Sequence, residues 1–264
     1  MSVEELAREF LAAYEYGSVD VAPPSVRDPS FDMAAAYAVE GEFSRLRARS
    51  GRARVGRKVG YANKAMWRAL KMDTLVWAGM YDDTIRFADS SNHATLSMAN
   101  YGSRKIEPEL VFKLKSSLTT ATSDAAAVLA AVDWMAIGFE IIDCPYPGWQ
   151  FKPVDFVAAY GLHKALVIGE RVPVETEAIP DLVNQLAGFK VRLLKNGELV
   201  EEGWGKNSLK SPALCLAELA GVTPLGPGEL ISTGTLTSAP HISAGETWQV
   251  EVEGLPLPAL TLTI

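Results

Sequence analysis

Two glutamates stand two positions apart in the segment Lys105–Phe112, where apolar and polar residues alternate with the period of a β-strand. Successive side chains of a strand point to opposite faces, so Glu107 and Glu109 share one face and the apolar side chains take the other. A divalent cation bound through oxygen atoms relieves the repulsion between such carboxylates. The alternative is a solvated acidic face, which Pro108 favours slightly because proline is commonest in edge strands.

A third acid, Glu140, lies within the apolar run Trp134–Ile142. Burying an ionised carboxylate is costly, so Glu140 needs a cation, a hydrogen-bond network or a raised pKa. Three carboxylates from two neighbouring strands would bind Mg²⁺ or Mn²⁺, with water or substrate completing the coordination. The alternative is that the strand reaches the surface at Glu140.

Lys58 lies in the short segment Val55–Gly60, with a glycine on each side. Glycines permit close approach of another backbone or a ligand, so the lysine would face a confined space. The alternative is an exposed strand lysine, which is the commoner situation for this residue type.

Other polar residues are typical of turns, ligand contacts or the core. Asp82 and Asp83 are typical of a polar turn. Thr233 and Thr235 flank a glycine, which suits contact with a small oxygen-rich ligand or marks a β-bulge. His163 either binds a substrate carboxylate or is a hydrogen-bonded core histidine.

Composition limits the class of protein. The chain has 264 residues, of which 48% are hydrophobic and 22% charged, enough for one large domain or two small ones. A net charge of −7 argues against nucleic-acid or anionic-membrane partners. The acidic N-terminus lacks a signal-peptide core, and the apolar runs are too short for a membrane span. Cys144 and Cys215 have no metal or redox spacing, so we expect reduced thiols in a cytoplasmic protein.

Helical patterns dominate the first third of the chain. An amphipathic helix is expected over residues 2–16, followed by a proline-rich connector over residues 21–29. Ser30 is the expected N-cap of a helix that ends near Arg49, and Ser123 of a helix that begins at Ala125. Basic residues between 45 and 58 suggest anion binding, but upstream acids offset them, so we interpret most as a solvated helix end.

Strands with Gly/Pro turns dominate the remainder, which predicts an α+β fold. Asn196-Gly197 between alternating segments predicts a hairpin with a type I′ turn. Ser211 and the following proline predict the start of a helix that Gly221 stops. Residues 88–104 are interpreted as loop.

The pattern Glu107-Pro108-Glu109 followed by Glu140 resembles the metal-binding E-x-E…E of the fumarylacetoacetate hydrolase superfamily. It is most similar to the branch of 2-keto-4-pentenoate (2-hydroxypentadienoate) hydratases and 4-oxalocrotonate decarboxylases. The resemblance runs from about Ala34 to the end, and further matching stretches occur in the family's order: Ala36–Val39, Gly56–Gly60, Ile231–Leu236 and Ala244–Glu246.

This resemblance implies a mixed β-roll of the fumarylacetoacetate hydrolase C-terminal type. Residues 1–54 would form an N-terminal helical segment packed on the roll, and residues 55–264 the catalytic domain. It also implies homo-oligomers and, as a further option, pairing with a decarboxylase or hydratase of the same pathway.

The resemblance also assigns roles. The metal ligands would be Glu107, Glu109 and Glu140, holding Mg²⁺ or Mn²⁺. Lys58 would perform acid–base work beside the metal-bound substrate and pair with Asp83, or with Asp82 if the register differs. The predicted substrate-binding residues are His163, Thr233 and Thr235. The segment Tyr160–Lys164 departs from the small polar run of the hydratases, which leaves the identity of the 2-oxo acid open.

The activity expected from the resemblance is addition of water to a 2-hydroxy-2,4-dienoate, giving a 4-hydroxy-2-oxo acid, in catabolism of aromatic-derived compounds. A 4-oxalocrotonate-type decarboxylase is the second possibility. A C–C hydrolase of an acylpyruvate would use a His/Glu pair, and no histidine lies between Lys58 and Asp83, although His93 keeps that possibility open. A non-catalytic 2-oxo acid binding protein would not need Lys58 or Asp83.

Overall fold

The computed structural model describes residues 1–119, 122 and 124–264. Its helices are α1 Val3–Tyr16, α2 Pro24–Arg27, α3 Met33–Arg49, α4 Lys64–Leu70, α5 Ala125–Leu129, α6 Pro153–Ala158, α7 Ile179–Gly188 and α8 Pro212–Val222. Its strands are β1 Arg54–Gly60, β2 Val76–Tyr81, β3 Ile85–Phe87, β4 His93–Thr95, β5 Arg104–Leu114, β6 Val132–Asp143, β7 His163–Ile168, β8 Val172–Pro173, β9 Lys190–Lys195, β10 Glu198–Trp204, β11 Leu230–Ser232, β12 Thr247–Glu253 and β13 Leu260–Thr263.

The larger sheet has the order β2-β1-β11-β5-β6-β7-β3, with β8 attached to β6. Its longest strands, β5 and β6, pair antiparallel and place Glu107 directly opposite Glu140. On the other side of β5, β11 pairs with both β5 and β1, and Lys58 of β1 aligns with Ser232. The sheet order therefore brings Lys58 and the three predicted metal ligands close together on β1, β5 and β6.

The smaller sheet has the order β10-β9-β12-β13-β4. Its β9–β10 hairpin turns at Asn196 and Gly197, with φ angles of 52° and 85°. Two successive positive φ angles are the signature of a type I′ turn, so that prediction is confirmed. The predicted loop over residues 88–104 contains the short strand β4, which adds to the edge of this sheet beside β13.

Pro108 lies inside the larger sheet, although proline is commonest in edge strands. Its carbonyl accepts a hydrogen bond from the Leu236 N–H, and the Ile106 N–H donates to Pro240. The Pro108 nitrogen therefore faces the segment after β11, where its missing N–H removes no bond from the β5–β6 ladder. The acidic face is thus an interior feature of the sheet.

The N-terminal helices pack on the larger sheet through an aromatic cluster. Phe43 of α3 stacks on Tyr160, with ring centroids 5.2 Å apart, and Tyr14 of α1 meets both rings edge-on. Such contacts add to the burial of large apolar surfaces. Helix α1 begins with a capping box between Ser2 and Glu5, as its amphipathic pattern allows.

One predicted helix cap, Ser30, is wrong, and a second, Ser123, falls outside the described residues. Ser30 bonds to Asp28 in a turn, and Asp32 caps α3 by accepting from the Ala35 N–H at 2.9 Å. For α5 the cap is Asp124, and the predicted cap Ser123 lies outside the described residues. Which of several adjacent polar residues becomes the N-cap depends on local side-chain hydrogen bonds, which the sequence composition does not predict.

Other boundaries also differ. The connector over residues 21–29 contains α2, which has a proline in its first turn. Helix α8 starts after Ser211 as predicted, but it continues through Gly221 to Val222.

The α+β prediction is confirmed by the two sheets and eight helices of the described chain. None of these helices combines the length and apolar character needed to cross a membrane. The division at residue 54 falls between α3 and β1 and stays a prediction.

We predict that Gly41→Ala stabilises the protein. Gly41 is exposed within α3, and a Cβ built there meets no atom within 4 Å. Alanine has the higher helix propensity, so the free energy of unfolding should rise by about 0.5–1 kcal/mol in denaturant titrations.

The matched control is Gly197→Ala, which should lower the free energy of unfolding because the turn requires a φ of 85°. Destabilisation by Gly41→Ala would contradict the assignment of that exposed helical position.

Candidate metal centre and active site

Three glutamates converge on one face of the larger sheet. Oxygen atoms of Glu107, Glu109 and Glu140 lie within 4.8 Å of one another. Glu109 and Glu140 are fully buried, and Glu107 is half-buried. The strand alternation of β5 and its pairing with β6 produce this cluster, as the spacing predicts.

Glu109 is held on one side only. Its Oε2 accepts a hydrogen bond from the Ser232 hydroxyl at 2.5 Å and from the Gly234 N–H at 2.8 Å. Its Oε1 is buried without a hydrogen-bond partner in the part of the chain that the structure describes. A buried carboxylate oxygen with no donor is consistent with a cation ligand.

Glu140 carries the direct contacts to positive charge. The Lys58 ammonium donates to its Oε2 at 2.6 Å, and Nδ1 of His163 lies 2.7 Å from its Oε1. Lys58 and Glu140 are both essentially inaccessible to solvent. A buried pair of this kind holds its geometry, because removing either partner leaves an uncompensated charge.

His163 lies behind Glu140. Its Nε2 is 2.9 Å from the Thr84 hydroxyl, and the Tyr81 N–H donates to the same hydroxyl oxygen at 3.2 Å. Burial lowers the pKa of His163. Because the Glu140 carboxylate only accepts, Nδ1–H of the neutral ring donates to it. The Thr84 hydroxyl has a single proton, for which Nε2 competes with the Tyr81 carbonyl, 2.8 Å from the hydroxyl oxygen.

The charges of the cluster are unequally compensated. Burial raises the pKa of Glu107 to about 7, and burial together with the charge of Glu140 raises the pKa of Glu109 well above its usual value. Burial also acts on Glu140, but Lys58 and His163 outweigh it and lower its pKa. The pKa of Lys58 is raised, because the carboxylates outweigh the effect of burial. Lys58 and Glu140 therefore form a charged ion pair. The negative charge of Glu107 and Glu109 is only partly compensated.

These features fit a divalent cation. Three carboxylates supply hard oxygen ligands, and one of them, Glu109, has a buried oxygen without a hydrogen-bond partner among the described residues. Ser232 and Gly234 donate hydrogen bonds that orient the Glu109 carboxylate. Metal-binding carboxylates are commonly oriented by such hydrogen bonds from neighbouring residues.

A cavity of about 520 Å³ opens beside the triad. Its polar wall includes Lys58, Glu107, Lys105, Asn63, Asn207 and Thr235, and its apolar wall includes Trp149, Phe151, Phe156 and Leu162. Apolar walls with a few convergent polar groups are characteristic of small-molecule sites.

Gly161 explains how Lys58 reaches this cavity. Its φ is 61°, and a Cβ at this position would lie 2.9 Å from Cδ of Lys58 and 2.6 Å from Cβ of Ala78. The segment Tyr160–Lys164 thus provides space for the lysine side chain and places His163 on Glu140.

Of the three predicted substrate-binding residues, one lines the catalytic cavity and two are buried away from it. Thr235 lines the cavity. Thr233 is buried, and its hydroxyl donates to the Leu110 carbonyl at 2.8 Å. His163 is buried against Glu140 and does not line the cavity, which corresponds to the alternative of a hydrogen-bonded core histidine.

The predicted pairing of Lys58 with Asp83 is not present. Asp83 forms ion pairs with Arg47 and Arg52 at a different cavity, and Asp82 lines a third. The partner of Lys58 is Glu140. Asp83 is placed by a short helical turn after β2, which directs it towards α3.

Sequence reasoning missed several residues that shape the site. Ser232 lies in the matching stretch Ile231–Leu236 and has no predicted role, yet its hydroxyl donates to Glu109, a predicted metal ligand. Lys105 precedes the acidic pair by two positions and lines the cavity, so strand alternation was a usable signal. Thr84 and Gly161 contribute through long-range contacts for which the sequence holds no local signal.

Comparison with known proteins decides the family. The model of the fumarylacetoacetate (FAA) hydrolase C-terminal domain matches residues 82–262. The chain belongs to the fumarylacetoacetate hydrolase family. This confirms the family and the fold type that the E-x-E…E pattern implied.

Individual relatives agree with the predicted branch. The 2-keto-4-pentenoate hydratase of Paraburkholderia xenovorans (strain LB400) is 28% identical over 257 residues, covering 96% of this chain and 91% of that protein. The 4-oxalocrotonate decarboxylase of Pseudomonas sp. (strain CF600) is 28% identical over 232 residues, covering 86% and 84%.

A solved structure supports the fold over nearly the whole chain. The 4-oxalocrotonate decarboxylase from Pseudomonas putida G7, complexed with magnesium and adipate, superposes with a TM-score of 0.88 at 24% identity. The superposition covers 99% of this chain and 96% of that one.

We predict that Ser232→Ala weakens divalent-metal binding by about 10- to 100-fold, because Glu109 loses an orienting hydrogen bond. Isothermal titration with Mg²⁺ measures the change. Ser116→Ala removes an exposed hydroxyl two residues beyond β5 and should leave the affinity unchanged. Equal affinities of the wild type and Ser232→Ala would remove Ser232 from the account of the metal centre.

Proposed function

We propose that the protein is a metal-dependent hydro-lyase that adds water to a 2-hydroxy-2,4-dienoate and forms a 4-hydroxy-2-oxo acid. The observation that carries the proposal is a buried lysine, Lys58, bonded to the carboxylate triad beside an apolar-walled cavity. The full-length similarity to a 2-keto-4-pentenoate hydratase supports the same reaction class.

The triad is proposed to hold Mg²⁺, with Mn²⁺ as the alternative, through Glu107, Glu109 and Glu140. A divalent cation there would supply positive charge that stabilises the enolate form of a 2-oxo acid. The chain's own groups orient the substrate around it: Lys58 and Thr235 offer donors, and the apolar wall of the cavity accommodates the hydrocarbon part.

Lys58 is the proposed catalytic residue for proton movement. In the reaction the enol hydroxyl loses a proton and carbon 5 of the dienoate gains one. Water then adds its oxygen to carbon 4 and a proton to carbon 3. The Lys58 ammonium lies against Glu140 at the cavity wall, where it can hold or transfer a proton at Nζ.

Asp83 is not assigned a part in this scheme, because it pairs with Arg47 and Arg52 away from Lys58. His163 is assigned a positioning role through Glu140. Homo-oligomeric assembly, pairing with another enzyme of the same pathway and a cytoplasmic location remain parts of the proposal.

Decarboxylation of a 4-oxalocrotonate-type substrate is the second candidate. A dicarboxylate needs a cation at each end, and the cavity offers Lys105 in addition to the triad and Lys58. The Lys105 ammonium lies 4.1 Å from the centre of the Trp149 ring, which fixes it at the wall.

Turnover of the two substrates separates the candidates. Consumption of 2-hydroxypenta-2,4-dienoate with Mg²⁺, abolished by a chelator, is expected for the hydratase. Consumption of 4-oxalocrotonate with release of carbon dioxide, and none of the dienoate, would replace the hydratase by the decarboxylase. If neither substrate is consumed, both the hydratase and the decarboxylase proposals are contradicted.

We predict that Lys58→Met lowers kcat by about 10²- to 10⁴-fold, because the proton-holding group is lost. Stopped-flow or steady-state decay of the dienoate absorbance measures it. Lys115→Met removes an exposed lysine just beyond β5 and should retain wild-type kcat. A folded Lys58→Met protein with wild-type turnover would contradict the catalytic assignment.

A further inference from the structure

A second cavity of about 500 Å³ lies between the N-terminal helices and the larger sheet. Its lining residues are different from those of the catalytic cavity. Four cationic side chains contribute to its wall: Arg47, Arg52, Arg86 and Lys164. They come from α3, the loop after it, β3 and β7, so the fold brings the charges together over long sequence distances.

Arg47 is the buried member of this set. Its side chain is only 6% exposed, and its guanidinium carbon lies 4.9 Å from the ring centres of both Tyr14 and Tyr81. Its Nε has no hydrogen-bond partner in the described parts of the chain. Arg47 is therefore a fixed cation, in contrast to the solvated helix end that the sequence suggested.

The positive charges of the cavity exceed the negative ones. Asp83 is shared by two guanidinium groups, those of Arg47 and Arg52. Glu15 is the other acid in the cavity wall, so four cations face two acids. Asp143 lies near Lys164 without lining the cavity, and the excess remains positive when it is counted.

Neutral donors complete the wall. The phenols of Tyr14 and Tyr101 line the cavity, and burial raises the pKa of Tyr14 to about 12 and raises that of Tyr101 as well. Both hydroxyls therefore keep their protons at neutral pH. Guanidinium, ammonium and phenol donors around one hollow match the acceptor oxygens of an oxyanion.

We propose that this second cavity binds a small oxyanion, either a phosphate or a carboxylate, separately from the catalytic site. Arg47 supplies the fixed charge at the wall, and the exposed Arg86 and half-exposed Arg52 approach the anion from the rim. Thr84 also lines this cavity and bonds to His163, which bonds to Glu140. Two side-chain contacts thus separate the proposed anion site from the metal centre.

Calorimetric titration of the full-length protein tests this site, using inorganic phosphate in one arm and succinate in the other. The titrations are made at constant ionic strength with a chelator, so that no divalent cation binds the anions. Saturable binding is expected for the wild type. Arg52→Gln/Arg86→Gln, which leaves the buried Arg47 in place, should weaken it by at least about tenfold.

Two controls locate the binding. The double variant Arg45→Gln/Arg68→Gln removes the same charge from exposed positions outside the cavity and should bind as the wild type does. Lys105→Met alters the catalytic cavity and should also retain the binding. The tighter of phosphate and succinate identifies the anion class. No saturable binding of either anion, or equal weakening in both double variants, would overturn the proposal.

Discussion

Repulsion among three clustered carboxylates, two of them fully buried, is the constraint on which the rest of this structure depends. Glu107, Glu109 and Glu140 lie on one sheet face with oxygens within 4.8 Å of one another. Lys58 neutralises Glu140 at 2.6 Å, and a divalent cation would relieve the repulsion between the other two carboxylates. A cluster of this kind destabilises a fold unless binding compensates it, which is why stability and function are linked at such sites.

The fold meets this constraint by register. Pairing of β5 with β6 sets Glu107 opposite Glu140, and pairing of β1 with β11 aligns Lys58 with Ser232. Ser232 then holds Glu109 from its outer side. A shift of one residue in either pair would turn these side chains to the opposite face, so the ladder itself determines the site.

The parts that the sequence predicts are those with local periodicity. Alternation along β5 identifies the acidic face, the apolar run around Glu140 identifies a costly carboxylate, and Asn196-Gly197 identifies a hairpin. The parts it does not predict depend on distant partners. Asp83 pairs with Arg47, 36 residues away, and His163 bonds to Thr84, 79 residues away. Asp32 rather than Ser30 caps α3, because the Ser30 hydroxyl bonds to Asp28 in a local turn. Composition alone does not distinguish these two candidate caps.

Titration of the chelator-treated protein with Mg²⁺, for the wild type and Glu109→Gln, tests the central claim most directly. Glutamine keeps the shape of Glu109 and its acceptor towards Ser232 while removing the charge. The account predicts saturable binding to the wild type and loss of most of that affinity in Glu109→Gln. Failure of the wild type to bind Mg²⁺ or Mn²⁺, or equal affinity of the folded variant, would contradict a metal centre built on the three carboxylates.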